Sequence, residues 1–122
     1  MAFTREELAY VAGLFEGEGT VYTVTGGRYK TKTSEGIRKT PRIQLAISMT
    51  DYSPLEQVVD CLGFGKIYGP YWNSSGPRNY PSYHLRYHSF EKVQAIIAAI
   101  WEWLSPRRQE QCVEALRTYH AL

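Results

Sequence analysis

The chain predicts an α+β fold whose elements run αββαββα and continue into a C-terminal helical extension. Three observations carry this expectation. Residues able to cap a helix, Thr4, Ser53, Ser89 and Ser105, each stand ahead of an apolar stripe of helical period. Runs of alternating or β-branched residues, bounded by Gly and Pro, come in pairs after the first and the second stripe. With 122 residues, 43% of them hydrophobic, the chain can fill one core but not two, so residues 1–122 read as a single domain.

Thr4 and Glu7 have capping-box spacing, so a helix starts at Arg5 and places Leu8, Val11, Ala12 and Phe15 on one face, with Gly17 or Gly19 to end it. The run from Thr20 to Thr25, closed by Gly26 and Gly27, is the first strand. A polar loop from Arg28 to Thr40 follows. From Pro41 to Met49 the alternation points Ile43, Leu45, Ile47 and Met49 to the core and Arg42, Gln44, Ala46 and Ser48 away from it. Ser53 as cap, Pro54 and Glu56 open a helix through Leu55, Val58, Val59 and Leu62, which Gly63 ends. A third strand spans Gly65 to Tyr71 and a fourth Ser82 to His88, separated by the turn-rich Asn73-Ser74-Ser75-Gly76-Pro77. Ser89 caps a helix whose stripe is Val93, Ile96, Ile97, Ile100, Trp101 and Leu104, with Trp101 in the core and Trp103 partly exposed. Ser105-Pro106 starts the last helix, through Cys112, Val113 and Leu116.

The net charge is only +2, yet Arg28, Lys30, Lys32, Arg38, Lys39 and Arg42 crowd one segment that Glu35 alone interrupts. That local bias suits a polyanion, although a solvated loop has the same composition. Cys61 and Cys112 lie in apolar helical patterns without metal-ligand spacing, and read as buried reduced thiols. His84, His88 and His120 have no ligand spacing with one another or with the Glu pair. No secretory leader and no run of about 18 apolar residues is present, so the expectation is an intracellular protein, in cytoplasm or organelle, with no membrane partner.

The stretch Val11-Ala12-Gly13-Leu14-Phe15-Glu16-Gly17-Glu18-Gly19 joins a small-residue helix end to two carboxylates and then to a strand. Gly13 and Gly17, four apart, leave a groove where a second helix can approach. Glu18 stands at the negative end of the helix dipole, which is unfavourable without a cation and makes a divalent metal its natural partner. These nine residues resemble the motif of the LAGLIDADG homing endonucleases, whose eighth position is the metal-binding acid, here Glu18. Val11 replaces the first Leu, Phe15 the Ile, Gly17 the Ala, and Glu stands for Asp at both acidic positions, all conservative in size or charge. Ile47-Ser48-Met49-Thr50-Asp51 and Leu62-Gly63-Phe64-Gly65-Lys66-Ile67 also resemble family segments.

The resemblance implies a homodimer, because the family's active sites need two motif helices and this chain carries one. The seam would be the Gly13/Gly17 groove, with Val11, Ala12, Phe15 and Glu16 beside it. It also implies an antiparallel, saddle-shaped DNA-binding sheet and site-specific hydrolysis of both strands of a long pseudo-palindromic duplex DNA. Glu18 and the Gly17 carbonyl would hold Mg²⁺, with Mn²⁺ as a substitute and no small-molecule cofactor. Asp51 and a basic residue in the first turn of the C-terminal helix, Arg108 or Arg107, would line the catalytic pocket, while Glu16 would lie near the site without holding the metal. The sheet face turned from the helices would carry Tyr22, Val24, Arg42, Gln44, Ala46 and Ser48, and Lys66, Tyr68, Ser82, His84 and Arg86. Two other readings stand beside this one. The first is a non-cleaving binder on the same scaffold, an intron RNA-splicing maturase or a DNA-binding regulator. The second is a small interaction domain in which the glycines serve helix packing alone.

Overall fold

In the computed structural model, which describes residues 3–24, 28–30, 35–37, 41–72 and 80–121, the first helix, α1 (Arg5–Glu18), begins with the expected capping box. Thr4 accepts from the Glu7 amide at 3.0 Å and Glu7 accepts from the Thr4 amide at 3.2 Å. Gly19 is the residue that ends the helix, and only glycine fits there, since a Cβ would overlap the Phe15 ring and carbonyl. The chain turns directly into β1 (Gly19–Val24), which pairs antiparallel with β4 (Arg42–Met49) from Gly19 opposite Ile47 to Val24 opposite Arg42.

Where the sequence predicts an unbroken polar loop, β2 (Arg28–Lys30) and β3 (Glu35–Ile37) form a short antiparallel ribbon. Such a ribbon pairs backbone groups, and strands this short leave no readable periodicity. Of the segment's expected DNA contacts, Lys32, Arg38 and Lys39 and the side chains of Arg28 and Lys30 lie outside the described residues.

The second helix, α2 (Tyr52–Leu62), is capped by Asp51 and not by Ser53: the Asp51 carboxylate accepts from the Ser53 amide at 3.3 Å. Pro54 thereby falls in the third helical position, still within the first turn, where a missing N–H leaves no helical bond unmade. Gly63, at φ 82°, ends the helix in the left-handed region. Strands β5 (Lys66–Trp72) and β6 (Pro81–Tyr87) pair antiparallel with a register shift between Tyr68 and Tyr71, and β6 also pairs with β4, giving the sheet order β1-β4-β6-β5.

Ser89 caps α3 (Phe90–Ile100) and Ser105 caps α4 (Pro106–His120), as the sequence predicts. Between them Trp101–Trp103 form a 3₁₀ turn. With three residues per turn, its phase departs from the helical stripe. Trp101 is consequently 37% exposed and not in the core, while Trp103 is partly exposed as expected and packs against the core with its other side.

The helices cover one sheet face. Phe15, Val21, Ile43, Leu45, Ile47, Leu55, Leu85 and Ile100 are the largest contributors to the shared core, each almost fully enclosed. Burying one such side chain contributes about 1.5–3 kcal/mol. The Thr23 hydroxyl donates to the Ala115 carbonyl at 2.6 Å, fixing α4 to β1. Cys61 and Cys112 are free and buried, and burial pushes the Cys112 thiol up to about 11. Among the described residues no helix is long and apolar enough to cross a membrane.

Candidate functional site

The last turn of α1 presents Glu16 and Glu18 in different surroundings. Glu16 faces α4: its carboxylate accepts from the Ser105 amide at 2.6 Å and from the Ser105 hydroxyl at 2.9 Å. Arg108, 8% exposed, donates from Nε to the Glu16 carbonyl at 3.1 Å and from its guanidinium to Gln111 at 2.8 Å. Its guanidinium also lies over the Phe15 ring, 5.5 Å from the centroid, and 3.7 Å from the Glu16 carboxylate. The Ser105 amide, then the Ser105 hydroxyl and the charges of Arg108 and Arg107, hold the Glu16 carboxyl below its ordinary range despite partial burial. The end of α1 is thus tied to the start of α4 by side chain and backbone together.

Glu18 is exposed and makes no ion pair among the described residues, and α1 carries no basic residue in its last turn. It borders a cleft of about 270 Å³ with Ser48 and Met49 from the end of β4, Thr50, and Ser82 from the start of β6. No cluster of three His, Cys, Asp or Glu able to hold a metal exists among the described residues. One chain therefore offers a carboxylate and the adjacent backbone carbonyl of Gly17 at the negative end of a helix. That donor set fits a divalent ion whose remaining ligands come from water, substrate or a second chain.

Several expected site residues take other positions. Asp51 caps α2 and does not line the cleft. Neither does Arg108, whose donors are engaged within the fold, nor Arg107, which is exposed in the first turn of α4. Val11, Ala12 and Phe15 are at most 1% exposed and belong to the chain's own core, and Glu16 faces α4, so of the expected seam only Gly13 and Gly17 remain on an open surface. A Cβ at either glycine would meet nothing within 4 Å.

The sheet face opposite the helices collects the expected side chains by register: Tyr22 opposite Gln44, Val24 opposite Arg42, Ser48 opposite His84, Tyr68 opposite His84 and Lys66 opposite Arg86. Gln44 donates to the Tyr22 hydroxyl at 3.0 Å. Lys66 and Arg86 both lie over the Tyr68 ring, each 5.0 Å from its centroid. Ala46 is only 5% exposed, between its register partners Thr20 and Arg86, so it offers no more than a methyl in the floor of the face. Tyr71, which simple alternation along β5 would turn to the core, joins this face opposite Ser82 and packs on the His84 ring. The register shift inside β5 moved it there, and no alternation pattern signals such a shift.

No family model and no curated protein matches the chain. Solved structures do. I-CvuI, a homing endonuclease in complex with its target in the presence of Ca, superposes with TM-score 0.64 at 14% identity over 96% of this chain and 68% of that one. The homing endonuclease I-TnaI gives 0.60 at 16% identity, over 98% of this chain and 74% of its own. The LAGLIDADG homing endonuclease I-LtrWI, bound to target DNA, gives 0.63 at 15% identity, with 98% of this chain covering 38% of that one. At these identities the likeness establishes the fold, which is that of the LAGLIDADG homing endonucleases.

Proposed function

We propose that this chain, having that fold, is a site-specific DNA endonuclease that acts as a homodimer and needs a divalent metal. The observation that carries the reading is Glu18, an exposed carboxylate at the negative end of α1 that has no cation beside it among the described residues, next to a cleft at the edge of a sheet face bearing Arg42, Lys66 and Arg86 and, among the described residues, no acid. The neighbours I-CvuI and I-LtrWI, crystallised on their targets, support DNA as the partner of that face.

In this reading Arg and Gln side chains read base edges in the major groove while Lys, Tyr and Ser hold phosphates. Each chain reads one half of a pseudo-palindromic site, and the exposed Gly13 and Gly17 let the two α1 helices approach. Glu18, with the Gly17 carbonyl, holds the ion: Mg²⁺, for which Mn²⁺ substitutes. Such an ion supplies charge neutralisation at the scissile phosphate and an acidified water. The bonds that Ser105 and Arg108, at the start of α4, donate to Glu16 keep the end of α1, and so the Glu18 carboxylate, in place.

A non-cleaving binder, a splicing maturase or a regulator, is the second reading. It is favoured by the cleft itself, which contains neither Asp51 nor Arg107 nor Arg108. One experiment separates the two: selection of cut molecules from a random duplex library in Mg²⁺, beside Glu18→Gln, with binding measured in Ca²⁺. The endonuclease reading expects a pseudo-palindromic cut site that the variant binds and cuts at least about a hundredfold more slowly. A site that is bound but never cut by the parent moves the function to the second reading.

A further inference from the structure

His84 stands behind the cleft that Glu18 borders. Its Nδ1 is 2.6 Å from the Ser48 hydroxyl and its Nε2 is 3.2 Å from the Ser82 hydroxyl, and both serines line the cleft. The Tyr71 ring, 5.3 Å away and tilted by 52°, packs on the imidazole. Strand pairing alone does not require this bridge. Ser48 and His84 are cross-strand partners, and Ser82 is two residues before His84 on the same face, so three side chains from two strands converge on one ring.

We propose that His84 is a positioning residue for the reaction at Glu18, acting through Ser48 and Ser82; this rests on the endonuclease reading. A neutral imidazole has one N–H and one lone pair. One serine accepts from the ring and keeps its own O–H for the cleft; the other donates to the ring and keeps its lone pairs for the cleft. In either tautomer the cleft therefore meets one donor hydroxyl and one acceptor hydroxyl. The donor suits a phosphate oxygen, and the acceptor suits a hydrogen of the attacking water. Protonation of the ring would turn both hydroxyls into donors. Burial, with Arg86 beside it, pushes the His84 pKa below its ordinary value and keeps the ring neutral at neutral pH.

The test compares His84→Gln, which retains one donor and one acceptor, with His84→Leu, which keeps bulk alone. Single-turnover cleavage of the selected site in Mg²⁺ gives the rate, and binding of the same duplex in Ca²⁺ gives the affinity. Leu should slow cleavage by about 10- to 100-fold with affinity changed less than about threefold, and Gln should recover most of the rate. A second reading needs no metal: in the metal-free protein, Ser48→Ala should move the ¹⁵N resonance of Nδ1 and Ser82→Ala that of Nε2. If His84→Leu fails to fold, Ser48→Ala, Ser82→Ala and the pair carry the kinetic test: each single slows cleavage with affinity held and the pair is slower still, and parent-like rates in all three overturn the inference. Equal rates for parent and His84→Leu overturn this inference and leave the endonuclease reading intact. So does a loss confined to affinity, which makes His84 a base reader. Unmoved ¹⁵N resonances also overturn it. A parent that binds and never cuts overturns both.

Discussion

Glu16 and Glu18 are separated by one glycine, yet the inner side of the α1 terminus is closed with bonds and the outer side is open. Glu16 meets the Ser105 amide and hydroxyl, and its own carbonyl takes a bond from buried Arg108. Glu18, exposed, has no charged partner among the described residues. A carboxylate at the negative end of a helix is unfavourable in both places, and among the described residues only the inner one is compensated. The comparison separates an acid that holds the structure together from one whose place the fold alone does not explain.

The comparison breaks most visibly at Arg108. Removing its guanidinium in Arg108→Ala should lower stability by about 2–3 kcal/mol in urea denaturation, since it leaves the Glu16 carbonyl and carboxylate short of a partner. A change under about 0.5 kcal/mol would mean the tie contributes little. Gly13→Ala tests the neighbouring open face: with nothing within 4 Å of the new Cβ, a helix interior should gain about 0.5–1 kcal/mol. In the same variant, analytical ultracentrifugation should show a weakened dimer if the glycines let two helices meet; an unchanged dimer places the seam elsewhere. Glu18→Gln, in contrast to Arg108→Ala, should raise stability by a few tenths of a kcal/mol by removing a charge the dipole disfavours, measured without metal.

Acid should sharpen the difference further. The folded pKa of Glu16 is depressed, so its contribution is complete above the ordinary value of 4.5 and is lost as pH falls below it through the folded value. Parent and Glu16→Gln melting temperatures should therefore converge on acidification, with the parent higher at neutral pH. A gap that is constant from neutral to acid would show that the Ser105 bonds do not depend on the charge.

The elements of the main sheet and all four described helices were legible because each carries its own local signal, as at Thr4, Ser89 and Ser105. Asp51 and Ser53 are both good caps two residues apart, and the choice between them depends on how Pro54 is tolerated. The bond from Ser105 to Glu16 spans 89 residues and has no local trace, so Glu16 could be placed in the motif but not assigned its partner. For the same reason Arg108 read as a pocket base: the first turn of α4 announces a charge near an anion, and the anion is the tail of α1. Alternation placed Ala46 on the open face correctly, yet side-chain size, and not direction, decides how much of it is exposed.

The Tyr68 ring carries Lys66 and Arg86 together, at equal distance. Two long cationic side chains that share one aromatic surface favour the rotamers that keep them there, by about 0.5–1 kcal/mol for each exposed contact. Ordering such a chain on binding costs roughly 0.5–1.5 kcal/mol each, and a polyanion docking on β5 and β6 would meet that cost reduced by the contact with the ring. Lys66 and Arg86 are also register partners on β5 and β6, so an anion bound beside both would offset their mutual repulsion.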